Sequence, residues 1–137
     1  MVNILKWDDS LATGFEEVDL QHKKLILIID DVNESLKAPE DEYALRMAKD
    51  LKRLTDYTVY HFSEEEAFMR RYEYPDLERH HAEHEAFVAE VKRQISTLSR
   101  ADSAGGFNFY RFLGNWLLNH IAKSDRAWAD FIRSQKK

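Results

Sequence analysis

The chain has 137 residues and a mass of 16.2 kDa, which corresponds to one domain of ordinary size. Its 20 basic and 25 acidic residues give a formal net charge of −5, and this balance argues against a general nucleic-acid-binding role. The absence of cysteine excludes disulfides, iron–sulfur clusters and thiolate zinc sites within this sequence. With only four glycines and two prolines, we expect a few long helices rather than many short strands.

The N-terminal sequence shows no pattern of a signal peptide, because no basic stretch is followed there by an apolar one. The longest aliphatic run, residues 25–29, is far shorter than the stretch that crosses a bilayer. These observations predict a cytoplasmic protein without a membrane partner. Residues 1–16 lack helical periodicity, and we expect them to form an ordered arm that lies against the domain.

Four periodic segments follow the arm, and in each of them apolar residues recur at alternating steps of three and four. The segments span residues 18–36, 44–68, 77–98 and 109–132. Four helices with short connections predict an all-α fold, an antiparallel up-down-up-down four-helix bundle with one core. We therefore expect a single domain over residues 1–137, with the bundle at residues 17–134 and the last connection at residues 103–106.

Six polar side chains interrupt these apolar faces, although a buried imidazole or carboxylate is costly unless it is paired or bound to a metal. They are five of the six histidines and one carboxylate, namely His22, His61, Glu65, His80, His84 and His120. A single core histidine is usually satisfied by its neighbours, but five would have to satisfy one another in a dry interior. The numbers of residues between successive members of this set correspond to running down one helix and back up the next. An antiparallel bundle therefore brings all six side chains to one end of its core.

The spacing within the segments supports metal binding. The second and third segments each carry two of the six residues four positions apart, and therefore on one helix face. In the fourth segment the apolar pattern resumes five residues after His120, at Asp125. A step of five is typical of a π-bulge or a local break, and such features are concentrated at functional sites. The break would turn the Asp125 carboxylate inward, beside His120.

Other polar residues lie off these faces. We expect His81 at the surface, and we interpret Glu64, Glu66 and Glu83 as solvent-exposed acids. Asp19 lies one turn before the first of the buried histidines. It is either a hydrogen-bond acceptor for an imidazole N–H or a plain surface acid or helix cap.

The pattern of residues resembles the hemerythrin family, and in particular its single-domain bacterial members. The resemblance covers nearly the whole chain, and five histidines with one glutamate and one aspartate at these spacings are a specific signature. The motifs that carry it are Asp19-Leu20-Gln21-His22-Lys23, His61-Phe62-Ser63-Glu64-Glu65, His80-xxx-His84-xx-Phe87 and Trp116-Leu117-xx-His120-Ile121-xxx-Asp125.

The resemblance implies a non-haem di-iron centre, in which two carboxylates and a solvent-derived oxo or hydroxo group bridge the two iron ions. It assigns His80, His84 and His120 to one iron, His22 and His61 to the other, and Glu65 and Asp125 to the bridges. Counting these ligands gives six for the first iron and five for the second. One position is therefore left open on the second iron. Imidazoles and carboxylates also accept other divalent ions, including zinc.

The resemblance also implies reversible O₂ binding by an oxygen carrier, store or supplier that is not an enzyme. Nitric oxide and azide-like anions are further ligands expected at the open position. Phe62, Trp116, Leu117 and Ile121 are expected to form an apolar pocket over it, although core packing alone also explains these four residues. Two other functions stay open, an oxygen- or redox-sensing module and a peroxide or nitric oxide reductase or iron-handling protein. We expect a monomer with an unidentified partner for redox chemistry or O₂ delivery.

Overall fold

The computed structural model describes residues 6–97 and 103–135, and over these ranges it contains helices and turns but no strand. Helix α1 spans Glu16–Leu36, α2 spans Glu40–Arg71 and α3 spans Leu77–Thr97. Helix α4 (Ser103–Asn119) continues through a π-helical segment (His120–Asp125) into α5 (Arg126–Gln135). Together α4, the π-helical segment and α5 form the fourth long helix, and the predicted four-helix bundle is confirmed.

The connections between the first three helices are short, which makes consecutive helices antiparallel neighbours. Helix α1 packs against α2 and α4, and α2 packs against α3. Pro39 precedes α2 directly, and its carbonyl accepts hydrogen bonds from the first turn of that helix. At the other end of α2, Glu73 adopts a left-handed conformation with φ of 56°, and Tyr74 N–H donates to the Met69 carbonyl. This Schellman-type ending turns the chain sharply toward α3.

The predicted connection at residues 103–106 is wrong, because the structure begins α4 at Ser103. Two glycines in a first helical turn cost about 1 kcal/mol each relative to alanine. The helix nevertheless extends over them because its next turns bury Phe109, Tyr110 and Leu113 completely in the core. Burying side chains of this size contributes more than the glycines cost. None of the helices in the described part of the chain is long and apolar enough to cross a membrane.

The apolar interior consists of two clusters with a polar layer between them. The larger cluster includes Leu25 of α1 and Leu54 of α2, and the smaller one includes Val18 of α1, Met69 of α2 and Trp128 of α5. Along α1 and α2, the polar residues predicted to converge lie between the residues of the two clusters. The bundle therefore places any polar site in a dry layer, with apolar packing on both sides.

The described part of the arm, residues 6–15, lies on the bundle as predicted, while residues 1–5 are outside the described ranges. Trp7 and Leu11 pack against the larger cluster. Thr13 donates two hydrogen bonds of 2.8 Å, from its N–H and its Oγ1, to Asp19 Oδ1. The guanidinium of Arg133 donates to the Thr13 carbonyl from the opposite side. Asp19 therefore anchors the arm, and neither of the two roles left open for it from the sequence, an acceptor for an imidazole N–H or a plain surface acid or helix cap, describes this contact.

Replacing Asp19 should test this anchor. Asp19→Ala removes both hydrogen bonds of Thr13 and should lower the free energy of unfolding by about 2 kcal/mol, because hydrogen bonds to a charged acceptor are among the stronger ones. Urea denaturation of the two proteins measures the difference. Glu17→Ala is the matched control, since it removes an exposed acidic residue from the same helical turn. An equal loss in both variants would show that the anchor contributes nothing.

Candidate metal centre

All seven residues that the resemblance assigns to metal binding meet at one level of the bundle. Every one of them is buried, with at most 5% of its surface exposed. Helix α1 supplies His22, α2 supplies His61 and Glu65, α3 supplies His80 and His84, and the π-helical segment supplies His120 and Asp125. Their nitrogen and oxygen atoms form two overlapping groups, and within each group the atoms lie within 4.8 Å of one another.

The first group contains three imidazoles and two carboxylate oxygens. His80 Nε2 lies 2.8 Å from Glu65 Oε1 and 3.1 Å from Asp125 Oδ1. His84 Nε2 lies 3.2 Å from Glu65 Oε1, and His120 Nε2 lies 3.2 Å from Asp125 Oδ1. His120 Nε2 is also 3.1 Å from the Nε2 atoms of both His80 and His84. Neighbouring ligands about 2.1 Å from a common ion are about 3 Å apart, so this spacing is that of donors around one metal ion.

The second group contains two imidazoles and the other oxygen of each carboxylate. His22 Nε2 lies 3.0 Å from Asp125 Oδ2 and 3.4 Å from Glu65 Oε2. His61 Nε2 lies 3.2 Å from Glu65 Oε2. Both carboxylates thus direct one oxygen to each group, which is the arrangement of a carboxylate bridge between two cations.

Buried atoms without hydrogen-bond partners show that the second group suits a cation. His22 Nε2, Glu65 Oε2 and Asp125 Oδ2 are all buried and have no hydrogen-bond partner of good geometry. Buried side-chain polar atoms are normally hydrogen-bonded, and an isolated orphan is expensive. Three of the four atoms of this group therefore lack a hydrogen-bond partner among the described side chains, and a bound cation would satisfy them. Nitrogen and carboxylate donors of this kind bind first-row transition-metal ions.

The π-helical segment brings His120 and Asp125 to the same face of the fourth helix. Five residues of regular α-helix would separate two side chains by about 140°. The wider turn of residues 120–125 removes much of that angle, so the break predicted from the step of five is confirmed. Trp128 Nε1 donates a hydrogen bond of 3.2 Å to Asp125 Oδ1 and helps to hold the carboxylate inward.

Side chains outside the two groups orient two of the imidazoles. His61 Nδ1–H donates to Gln21 Oε1 at 2.6 Å, and His84 Nδ1–H donates to Glu66 Oε2 at 2.7 Å. His120 Nδ1 lies 3.4 Å from a carboxylate oxygen of Glu83 but makes no hydrogen bond. A proton held on Nδ1 leaves the Nε2 lone pair free for a metal.

Glu66, which the sequence predicts to be solvent-exposed, has this orienting role, and its side chain is only 12% exposed. Glu83 accepts a hydrogen bond of 2.8 Å from Ser124. Glu66 and His84 are distant in sequence, and Gln21 precedes the buried histidine of α1 without any periodic signal. Only the packing of neighbouring helices pairs these residues with their imidazoles. Glu64 is exposed as predicted.

His81 is half-exposed, at 49% of its side chain, which confirms its expected surface position. Its two ring nitrogens lie 2.6 Å from carboxylate oxygens of Glu66 and Glu85. It therefore contacts the outer side of the Glu66 carboxylate and none of the atoms of the two groups. His22 and His120 have no such orienting partner, because the Nδ1 atom of each is buried without a hydrogen bond.

In the metal-free protein the cluster is charged. Burial alone would lower the pKa of His22 and His80, but the adjacent Asp125 and Glu65 carboxylates raise both to about 9. The same balance raises the pKa of His120 to about 10. Burial would raise the pKa of Glu65 and Asp125, yet the surrounding imidazoles hold both well below their usual range. Protons on His22, His80 and His120 thus supply positive charge that metal ions would otherwise provide.

The four residues predicted to form an apolar pocket lie beside the cluster. Phe62 stacks on His84 with ring centroids 3.7 Å apart, and Trp116 stacks on the ring of His120 at 4.4 Å. Leu117 and Ile121 are buried in the larger apolar cluster. The two aromatic rings therefore lie against imidazoles of the three-histidine group.

Comparison with known proteins agrees with this geometry. The family model of the hemerythrin HHE cation binding domain matches residues 13–132. The chain belongs to the hemerythrin family. A bacteriohemerythrin of Pseudomonas aeruginosa is 30% identical over 129 residues, which cover 94% of this chain and 82% of that protein. A hemerythrin-like protein of Naegleria gruberi is 32% identical over 121 residues, covering 87% and 86% of the two chains. The crystal structure of a wild-type hemerythrin superposes with a TM-score of 0.77 at 25% identity, covering 93% of this chain and 97% of that one.

The charged cluster predicts a pH dependence for the stability of this hemerythrin without metal. The pKa values of His22 and His80 rise from 6.5 to about 9 on folding, so their protonation stabilises the fold fully below pH 6.5. This contribution is lost as the pH rises through about 9. The free energy of unfolding, measured by urea denaturation with a chelator present, should therefore fall by at least about 1 kcal/mol between pH 6.5 and 9.5.

The depressed pKa values of Glu65 and Asp125 act on the acid side, where their contribution is lost as the pH falls below about 4. Stability should consequently be greatest between about pH 4.5 and 6.5. A free energy of unfolding that stays constant from pH 6.5 to 9.5 would contradict the charged cluster.

The contact between Glu66 and His84 predicts the effect of removing the carboxylate. Glu66→Ala should weaken Fe²⁺ binding by about 10- to 100-fold, because the imidazole loses the acceptor that fixes its ring and tautomer. Competition with a chromophoric chelator measures the affinity. Glu64→Ala is the control, since it removes an exposed acid two positions away on the same helix. Equal affinities for the two variants would show that Glu66 does not orient the metal site.

Proposed function

We propose that the chain binds O₂ reversibly at two iron ions and acts as an oxygen carrier, store or supplier. The observation that carries this proposal is the asymmetry of the two groups. Both contain one oxygen from each carboxylate, but one has three imidazoles and the other only two. An ion in the smaller group has one protein ligand fewer, and that position is where a small ligand would bind.

In this proposal His80, His84 and His120 hold one iron, His22 and His61 hold the other, and Glu65 and Asp125 bridge them. Reduced iron supplies the electrons that reversible O₂ binding requires. The imidazoles of His61 and His84 stay fixed because Gln21 and Glu66 accept hydrogen bonds from their outer nitrogens. A rigid set of ligands limits how far the site must reorganise when a ligand arrives or leaves.

The apolar surroundings limit access of water and protons to the site. Leu117 and Ile121 are almost fully buried, and Phe62 and Trp116 cover two of the imidazoles with their rings. A dry site disfavours side reactions of a bound reactive ligand, in particular its protonation and loss with oxidation of the metal. This property suits storage and release of O₂ rather than turnover.

The deciding experiment is the visible spectrum of iron-loaded, anaerobically reduced protein, with iron quantified per chain. A carrier should contain two irons, gain a visible band on exposure to air and lose that band under vacuum. Rapid and irreversible oxidation would instead favour the redox-sensing module. Steady consumption of peroxide or nitric oxide with a reductant would favour a reductase, and failure to bind iron would remove the basis of all three.

Replacing one of the two imidazoles of the smaller group should abolish the function. His61→Ala removes half of the histidine ligands of that group and should eliminate O₂ binding or the second iron, which iron analysis and the visible spectrum measure. His81→Ala is the control, because it removes a half-exposed histidine that contacts neither group. Unaltered O₂ binding by His61→Ala would refute the assignment of ligands.

Shortening an apolar side chain near the site should affect oxidation rather than folding. Leu117→Ala leaves all seven polar residues in place but opens space for water beside them. It should retain two irons and oxidise several-fold faster in air, as followed by the decay of the visible band. An unchanged rate would assign Leu117 to core packing alone.

A further inference from the structure

A groove of about 500 Å³ lies on the outer surface of the bundle, between α1 and α2. Its apolar part consists of Tyr57 and Tyr60, with the buried Ile28 at its base. Tyr60 is 51% exposed. Exposed aromatic side chains at a shallow groove are typical of a surface that contacts another protein.

The rim of the groove is basic, although the chain as a whole is acidic. The four cations that line it are Lys24, Lys49, Lys52 and Arg53. Lys52 pairs with Asp56, and Arg53 pairs with a carboxylate of α1, each at 2.7 Å. Lys24 and Lys49 have no carboxylate partner among the described residues, and Lys24 Nζ lies 4.9 Å above the ring of Tyr57. Lys24 and Lys49 thus face solvent without an ion pair on a chain with a net charge of −5, although Lys49 also borders a neighbouring pocket that contains Asp31, Glu34 and Asp50.

Residues that line the groove lie within about one helical turn of Gln21 and His61 along α1 and α2. Tyr57 precedes His61 by one turn of α2, and Lys24 follows Gln21 by three residues of α1. Gln21 is half-buried and accepts the hydrogen bond of 2.6 Å from His61 Nδ1. The contact between these two side chains thus links this part of α1 and α2 to the imidazole that belongs to the two-histidine group.

We propose that this groove docks an acidic electron-carrier protein that reduces the metal centre in one-electron steps. The inference rests on the proposed function, because reversible O₂ binding requires Fe²⁺ and oxidation in air leaves Fe³⁺. The chain has no cysteine and the described residues hold no second candidate redox centre, so the electrons come from a partner. Each encounter oxidises the carrier by one electron, and two encounters reduce two Fe³⁺ to two Fe²⁺.

The charges and shape favour a protein partner over a small molecule. A small-molecule site normally encloses most of its ligand, whereas this groove is open along its length. Long-range attraction between a basic rim and an acidic partner accelerates association, and it weakens as salt screens the charges. Weak electron-transfer complexes bury little surface, which a groove of this size with the exposed Tyr60 and the partly buried Tyr57 can supply.

The test uses iron-loaded protein and a plant-type [2Fe–2S] ferredoxin, a small acidic one-electron carrier, as the probe. Two quantities are measured, the dissociation constant of the complex by calorimetry and the rate at which reduced ferredoxin reduces the oxidised protein. Both should depend steeply on ionic strength. The double substitution K24E/K49E should weaken binding and slow reduction at least about tenfold, because it reverses the charges of the two lysines that have no ion pair.

K92E/R93E is the matched control, since it changes the net charge by the same amount on the exposed surface of α3. A dissociation constant and a reduction rate of K92E/R93E within about twofold of the parent protein would support docking at the groove. Equal losses of binding and rate in both variants would show only an effect of net charge and would overturn the docking site. Equal binding of the ferredoxin and of single-stranded DNA to the groove would also overturn the assignment to an acidic protein.

The outcomes of this experiment distinguish a failure of the docking site from a failure of the carrier function. Reversible O₂ binding by a protein that neither binds nor accepts electrons from ferredoxin would overturn the docking site and leave the carrier function intact. Ferredoxin binding that depends on Lys24 and Lys49 in a protein without reversible O₂ binding would overturn the carrier function and retain the docking surface.

Discussion

Two buried carboxylates surrounded by five imidazoles are the constraint on which the rest of the molecule depends. Glu65 and Asp125 lie in a dry interior, where a carboxylate without compensating positive charge costs several kcal/mol. Protons on the histidines compensate them in the metal-free chain, and metal ions compensate them more completely. Because every helix of the bundle contributes at least one of these groups, the site also ties the four helices together at one level.

The surrounding architecture keeps this polar layer in place. An apolar cluster lies on each side of it, and the arm is anchored across the bundle by the hydrogen bonds of Thr13 to Asp19. The outer nitrogens of His61 and His84 are held by Gln21 and Glu66, which directs their inner nitrogens to the centre. This outer set of contacts explains how a site built from separate helices holds two distinct groups of ligands.

The two groups differ in their number of imidazoles, and this difference bears on both the proposed O₂ binding and the proposed docking surface. The group with three imidazoles is covered by Phe62 and Trp116, whose rings stack on His84 and His120. The group with two imidazoles lies toward α1 and α2, where Gln21 contacts His61 near the basic groove. A small ligand would bind at the ion with two imidazoles, which has one protein ligand fewer. Electrons delivered from the α1–α2 surface would reach the centre on that same side.

The sequence by itself determined the four-helix bundle, the set of seven polar residues and the break after His120. These follow from periodicity, because residues on the buried face of a helix recur at steps of three and four. A step of five does not fit a regular α-helix and therefore indicates a π-bulge or a local break. Only the tertiary structure decided which oxygen of Glu65 and Asp125 faces which histidines. It also decided that Gln21 and Glu66 orient imidazoles and that Asp19 holds the arm. Such pairings join side chains of different helices, and their distances depend on helix rotation and packing, which the periodicity of one segment does not encode.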